Sequence, residues 1–399
     1  MVAPAVLAAL RDLPLTDTAL VVGGDGFLGG HVVEQLLAIR RPDGPPVHVL
    51  DLQQRWPDRD HVVYHIGSLL DHDFLVATLK ANGITCVVHT ASPPHGKSKA
   101  FYHSVNVDGT RNLIQAMVEA GVPKLVYTSS ASVVFDGSDL CKANETQLYC
   151  DVPLDPYTET KALGEDLVLK SNNLPTNADV PLLTVALRPS GIFGPRDGQT
   201  LPGFLDAIAS NKSHIVLGNG QNLFDFTYVE NVAAAHILAM AKLAKHSGID
   251  GEAFNITNDD PIPFWDFSKR LTHALLPPSD PRVARAGSLH LPRLPMLVLA
   301  YLTSFFVWLI SPIVHIDPVF TPFRVRVTTA TRTFACDKAK ERLGYRPLVQ
   351  LDEALERSVE WIKTVDKWRA LWDLEVIRAR ELTEETVDEL VEDMKIKDE

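Results

Sequence analysis

The chain is poor in cysteine and in positive charge, and each shortage weakens a class of function. Its 399 residues include four cysteines, Cys86, Cys141, Cys150 and Cys336, with no CxxC pair among them. Such spacing argues against a disulfide framework and against a zinc site, and for reduced thiols in a cytosol-facing protein. No metal is expected. Lys and Arg number 38 against 50 Asp and Glu, a formal net charge of −12. Nucleic-acid binders use clustered cations to displace counterions, so nucleic acid is not an expected partner. A basic stretch ahead of the first apolar residues is missing too, and Arg11 and Asp12 interrupt those residues early. Residues 1–17 therefore read as a short leader helix rather than a cleaved secretory signal. The sequence also lacks internal repeats and low-complexity tracts.

What is present is apolar. Hydrophobic residues make up 46% and charged residues 22%, which argues for a packed core and against general disorder. The length allows about two or three domain-sized units or one large α/β enzyme. Residues 294–316, LPMLVLAYLTSFFVWLISPIVHI, hold no Asp, Glu, Lys or Arg. A run of about 20 such residues can cross a bilayer core as a helix. Pro295 and Pro312 are expected to break its ends, and Tyr301 and Trp308 suit an interface. Arg282, Arg285 and Arg293 precede the run, and Arg324 and Arg326 follow it. Three readings compete: a spanning helix, an interfacial or re-entrant anchor, and a buried core helix. The last stretch, 371–399, reads as a solvated helical tail. From residue 380 onward it holds nine acids and three bases, half of the net charge.

The first half alternates strand-like runs with helical spacing, the βαβ signature of a parallel sheet. Strands are expected at 19–22, 47–50, 62–66, 85–89, 124–128 and 182–187, and helices at 27–40, 74–82, 105–120 and 157–171. Past about residue 188 Gly and Pro crowd the chain and the rhythm breaks. Loops on a rigid sheet are where substrate is usually held. The expected architecture is a Rossmann-type doubly wound parallel sheet over 18–190. A smaller substrate-binding region over 191–370 would follow it and carry the apolar segment.

Gly23, Gly26 and Gly29 form a GxxGxxG turn between the first strand and the first long helix, where Phe27 and Leu28 begin. Such a turn brings backbone close to a pyrophosphate and presents free amides at a helix N-terminus. Asp51 closes the second strand. A carboxylate there accepts hydrogen bonds from both adenosine ribose hydroxyls and repels a 2′-phosphate, which favours NAD over NADP. In the His89-Thr90-Ala91-Ser92-Pro93 stretch, Ala91 is small enough to let a cofactor pass. Asn106, in NVDGT, reads equally well as a helix-start residue.

Tyr157 and Lys161 lie four apart at a helix start and share one face. A tyrosine ionises near pH 10, so a neighbouring ammonium and a cationic nicotinamide would be needed to make it a base. Ser130 can hydrogen-bond a substrate oxygen, and Ser129 is a rival for that role. Taken alone, the Tyr/Lys spacing also fits a surface pair on an amphipathic helix.

Taken together, residues 23–29, Asp51, 89–93, 106–110, 127–133, 157–161, 187–195 and 225–232 resemble the extended short-chain dehydrogenases. HTASPP, YTSSASVVFDG and DPYTETKALGE are most similar to the 3β-hydroxysteroid dehydrogenase branch, and within it to members that decarboxylate sterols. The resemblance implies a Ser130–Tyr157–Lys161 triad, with Asn106 supporting the lysine through water. It implies NAD held by Gly23, Gly26, Phe27, Leu28, Gly29, Asp51, Ala91, Tyr157, Lys161 and Arg188, the last where relatives close over the nicotinamide. The implied reaction is oxidation of the 3β-hydroxyl of a 4α-carboxysterol with loss of CO2. Alternatives are a 3β-hydroxysteroid or triterpenoid dehydrogenase without decarboxylation, a sugar-nucleotide epimerase, and a non-catalytic NAD sensor. Also implied are an endoplasmic reticulum membrane location with the catalytic part facing the cytoplasm, lipid contact through 294–316, other C4-demethylation enzymes as partners, and a homodimer. Two departures stand out. Gly67-Ser68-Leu69 replaces the usual GDL block beside the adenine, and Asp25 puts a carboxylate inside the phosphate loop.

Overall fold

The computed structural model describes residues 2–94, 96–310 and 320–369. The acidic tail 371–399 and residues 311–316 of the apolar run, Pro312 among them, lie outside the described residues.

Seven parallel strands form the main sheet: β1 (Ala19–Val22), β2 (Val47–Asp51), β3 (Val62–Ile66), β4 (Cys86–His89), β5 (Lys124–Thr128), β6 (Pro181–Pro189) and β7 (Glu252–Ile256). Their spatial order is β3-β2-β1-β4-β5-β6-β7, and the two-residue strand Leu174–Pro175 adds antiparallel to β6. The order reverses between β1 and β4, so the crevice at the carboxyl ends of those strands is the natural ligand site.

The strands read as near-continuous apolar runs because helices cover both faces. On one side lie α1 (Pro4–Leu10), α2 (Phe27–Ile39) and α8 (Val229–Lys242). On the other lie α3 (His72–Ala81), α5 (Thr110–Ala120) and α6 (Pro156–Lys170). Val21, Val49, Val88, Val126 and Val185 pack toward the first set. Leu20, Val22, Leu50, Val87 and Leu125 pack toward the second. The leader helix joins this core through Val6 and Leu10, and the Ala3 amide donates to buried Glu230 at 2.7 Å.

The helix expected at 105–120 begins earlier. Ser98 caps α4 (Lys99–His103), which runs through a π-helical turn, Ser104–Gly109, into α5. Asn106 is therefore interior to a helical run, not at its start. Gly121 ends α5 in the left-handed region, φ +79°.

The 190/191 division is crossed in both directions. β7 and α8 come from the second part of the chain and complete the first core. Conversely, Leu140–Ala143 from the first part joins Leu223–Phe224, Ile262–Pro263 and Arg332–Phe334 in a small sheet. Phe224 of that sheet joins Phe193, Phe204, Phe226, Phe264 and Phe267 in one aromatic cluster, with the Phe226 and Phe267 rings stacked at 4.0 Å. The cluster joins α7 (Thr200–Ala209) to α9 (Phe264–Leu275).

Beyond α10 (Pro281–Arg285) stands α11 (Arg293–Ile310), the described part of the apolar run. Only 6% of it is buried, so the core-helix reading fails for these residues. Pro295 sits within its first turn, where proline costs no helical hydrogen bond, and so does not break the element. The less exposed residues, Met296, Leu297, Ala300, Thr303, Ser304 and Val307, recur at helical spacing, and α11 packs on α12 (Pro322–Thr329).

Candidate active site

The glycine turn closes exactly where β1 meets α2. The Gly23 amide donates to the Leu50 carbonyl at 2.8 Å and the Gly26 amide to the Gly23 carbonyl at 3.0 Å. Gly23 has φ +79°, and a Cβ there would lie 2.7 Å from the Ala91 nitrogen. A Cβ on Gly29 would strike the Gly23 carbonyl. Backbone from β1, the β4 exit and α2 is thus pressed together, leaving a concave floor beneath the first amides of a 13-residue helix. That cradle fits a pyrophosphate, with Gly26, Phe27 and Leu28 at the helix start.

Asp51 stands at the end of β2. Its carboxylate accepts from the Asp25 amide at 3.2 Å and the Leu52 amide at 2.8 Å, while burial pushes its pKa up. Asp25 is 2% exposed; it accepts from the Arg55 amide, and its main-chain carbonyl accepts from Trp56 Nε1 at 3.2 Å. The carboxylate thus turns toward the loop after β2, away from the helix start. The Ser68 hydroxyl is spent locally, accepting from the Leu70 amide at 3.1 Å.

The reacting groups meet at the carboxyl end of β5. Asp155 caps α6, accepting from the Thr158 amide at 2.8 Å, and Pro156 occupies the first turn. This sets Tyr157 and Lys161 on one face of α6. Ser130, leaving β5, caps the 3-10 turn Ala131–Val134 and lies 2.9 Å from Ser132 Oγ. Desolvation pushes the buried Tyr157 phenol up to about 12, and the nearby Ser130 side chain opposes that rise. Ser129, the rival, is buried, donates its amide to Leu187, and its hydroxyl has no partner among the described residues. Of the two serines, Ser130 is the one that acts on the Tyr157 phenol.

The Lys161 side chain is buried, and its ammonium donates to the Thr128 carbonyl at 2.9 Å. It also lies 5.2 Å from the Tyr127 ring centre. Burial brings its pKa down to about 7, opposed by Glu165. Asn106 Nδ2 donates to Thr160 Oγ1 at 3.0 Å and its Oδ1 accepts from Ser92 at 3.2 Å. It thus braces the residue next to Lys161 and ties it to the 89–93 stretch.

A model described as the 3-beta hydroxysteroid dehydrogenase/isomerase family matches residues 20–282. The chain belongs to that family. It is 44% identical, over 88% of its length and 92% of the relative's, to mouse sterol-4-alpha-carboxylate 3-dehydrogenase, decarboxylating. It is 38% identical to the Saccharomyces cerevisiae enzyme of the same description, over 87% of this chain and 98% of that one. Among solved structures, dTDP-glucose 4,6-dehydratase from Streptomyces venezuelae with NAD bound superposes with TM-score 0.64 at 23% identity, over 89% of this chain and 98% of that one. UDP-glucose 4-epimerase from Thermotoga maritima superposes with TM-score 0.62 at 21% identity, over 87% and 98%. These likenesses establish the Rossmann-type fold of this family member.

Arg188 has a partner that the sequence did not reveal. Its guanidinium, 4% exposed, is clamped on Glu165: Nε lies 2.9 Å from Oε2 and Nη2 2.5 Å from Oε1. Tyr149 donates to the same carboxylate at 2.8 Å. Arg188 thus has a carboxylate partner within the protein through Nε and Nη2, while its buried Nη1 has no partner among the described residues.

Three further residues belong to the site. Glu165 continues the Tyr157–Lys161 face by one more helical turn, a spacing that was visible in the sequence. Thr128 Oγ1 lies 2.7 Å from His236 Nε2, and His236 Nδ1 lies 2.8 Å from the Val232 carbonyl. Only the fold brings β5 and α8 together, so His236 carried no local signal.

Proposed function

We propose that this chain oxidises the 3β-hydroxyl of a 4α-carboxysterol to a 3-ketone, with NAD as hydride acceptor and loss of the C4 carboxyl as CO2. The observation that carries the reading is Tyr157 and buried Lys161 on one face of α6, the lysine held on the Thr128 carbonyl at the end of β5 where Ser130 leaves the strand, in a fold that also carries the glycine cradle. The sterol class rests on relatives 36–44% identical over most of the chain.

Gly23, Gly26, Phe27, Leu28 and Gly29 hold the pyrophosphate and Asp51 the adenosine ribose. NAD, when bound there, supplies the hydride acceptor. Tyr157 takes the substrate hydroxyl proton, and Ser130 hydrogen-bonds the same oxygen. The Lys161 ammonium stabilises the phenolate, because opposite charge favours ionisation. Asn106 holds Lys161 in register through Thr160. Oxidation leaves a ketone beside a carboxylated carbon. As the bond from C4 to the carboxyl breaks, its electron pair moves to the C3 oxygen, and C4 later takes a proton. Ser130 and Tyr157 already address that oxygen, so the decarboxylation step adds no further residue.

A sterol is taken from lipid. Apart from its protein-facing stripe, α11 exposes Leu294, Val298, Leu302, Phe305, Phe306, Trp308 and Leu309. Arg326 donates to the Tyr301 hydroxyl at 2.9 Å. A helix with one face on its own protein and the rest apolar suits lying in the membrane interface better than spanning. The cytoplasmic face of the endoplasmic reticulum is the proposed location.

The test is incubation of the purified chain with a 4α-carboxysterol and NAD+, following NADH and CO2 together. NADH without CO2 would assign a plain 3β-hydroxysteroid dehydrogenase. Turnover of a UDP-sugar instead would assign an epimerase.

A further inference from the structure

The Arg188–Glu165 pair is more than a fastening between β6 and α6. We infer that Glu165 is the positioning residue that sets the charge of Lys161, and that Arg188 and Tyr149 fix how strongly it acts. This rests on Tyr157 and Lys161 being the reacting pair.

Tyr157, Lys161 and Glu165 follow at four-residue steps along α6 and therefore share one face. Both Lys161 and Glu165 are buried, at 2% and 0% exposure. A buried ammonium is costly unless compensated. From β5, Lys161 meets the Thr128 carbonyl and the Tyr127 ring. From β4 it faces His89, which burial and Lys161 hold neutral, down to about 3. Behind Thr128, on α8, His236 is also neutral, at about 4. The helical run before α5 offers Asn106, an uncharged amide, through Thr160. The negative charge that balances Lys161 therefore comes from its own helix, from Glu165.

Glu165 itself is restrained. Arg188 grips both of its oxygens and Tyr149 donates to one. Arg188 Cζ also sits 5.6 Å from the Tyr149 ring centre. These donors draw the carboxylate's field away from Lys161 without cancelling it. Burial holds the Lys161 ammonium down, to about 7, with Glu165 opposing it, so a small change in that field changes its protonation.

The signs follow. A negative charge beside the Tyr157–Lys161 pair disfavours loss of a proton from either member, so it raises the apparent pKa of the pair whichever group ionises. Glu165→Gln combined with Arg188→Met removes both charges without stranding one. The acid limb of the kcat/KM profile for sterol oxidation should then move to lower pH, by about one unit. Tyr149→Phe removes a donor from Glu165, strengthens its field and should move the limb the other way by less. Glu165→Asp retains the charge and should return the limb to its wild-type position. A fastening role predicts lower stability with an unmoved limb.

The experiment measures kcat/KM against pH for the full chain and these variants with NAD+ and a detergent-dispersed 4α-carboxysterol. NADH binding and cooperative melting identify the folded variants. Opposite shifts in Tyr149→Phe and the double variant support the inference; an unmoved limb in Tyr149→Phe, or in the folded double variant, overturns it. The same proton loss is read without turnover as tyrosinate absorbance, wild type minus Tyr157→Phe. Full activity in Tyr157→Phe would remove the catalytic reading itself, a separate failure.

Discussion

Lys161 donates to the carbonyl oxygen of Thr128 at 2.9 Å, and the hydroxyl of that same threonine lies 2.7 Å from His236. One residue at the end of β5 therefore joins the reacting lysine to a helix on the opposite face of the sheet. Because His236 Nδ1 faces the Val232 carbonyl at 2.8 Å, Nε2 is the acceptor and the Thr128 hydroxyl the donor. Thr128→Val should leave that buried Nε2 unpartnered, at a cost of about 1–3 kcal/mol. A lower melting temperature with reduced kcat and near-normal NADH affinity is the expected outcome. Unchanged kcat in a destabilised variant would limit the chain from His236 to a structural role.

The neutral state of His236 predicts a pH dependence of stability. Its folded pKa is lowered to about 4 against 6.5 for a free side chain. Between those values the unfolded chain binds the extra proton, so this group's contribution is present above pH 6.5 and is lost as pH falls toward 4. Asp197 and Asp225, raised to about 6 and about 7 by burial, act in the opposite sense. The clean observable is therefore a difference. Wild type should lose stability on acidification more steeply than His236→Gln in this window, approaching about 1.4 kcal/mol per pH unit. Parallel denaturant titrations across the window check this, and equal slopes would contradict it.

Gly23→Ala should abolish NAD binding and destabilise the fold. The new Cβ would meet the Ala91 nitrogen at 2.7 Å, and φ is +79°, a backbone region that costs alanine about 1–2 kcal/mol before any clash. Calorimetric NAD titration beside melting distinguishes the two effects.

Asp51→Ala should weaken NAD and admit NADP. The carboxylate offers acceptors to the ribose hydroxyls and repels a 2′-phosphate. The ratio of kcat/KM values for the two cofactors is the measurement, and an unchanged ratio would remove Asp51 from cofactor choice.

The exposed face of α11 makes a prediction that leaves the core untouched. Phe305 and Trp308 are 54% and 68% exposed, so Phe305→Glu with Trp308→Glu should fold normally. Flotation with phospholipid vesicles should fall at least several-fold while NADH binding persists. Undiminished flotation would remove α11 as the contact.

Much of this was legible in the sequence because it is local. The glycine turn, Asp51 and the Tyr157–Lys161 step each lie within one strand–helix passage, and the apolar period marked β1 to β6 within a residue or two. β7 escaped because EAFNI has polar residues at two of five positions and is buried only by virtue of its place in the sheet. Asn106 read as a helix start because the π-helical turn changes no composition. The partner of Arg188 was unreadable for another reason: Glu165 lies 23 positions away, and only the packing of α6 on β6 brings them together. Hydrophobicity found the apolar run but could not say which side it faced; the exposed surface of its described part, to Ile310, decides against a core helix there.

The most direct measurement concerns Tyr157. Purified wild type and Tyr157→Phe are each given NAD+ and a 4α-carboxysterol labelled at the carboxyl carbon. Wild type should release one labelled CO2 for each NADH formed. The variant should bind NADH as tightly and release neither. Equal turnover by the variant, or NADH formed without labelled CO2 by the wild type, would contradict the account.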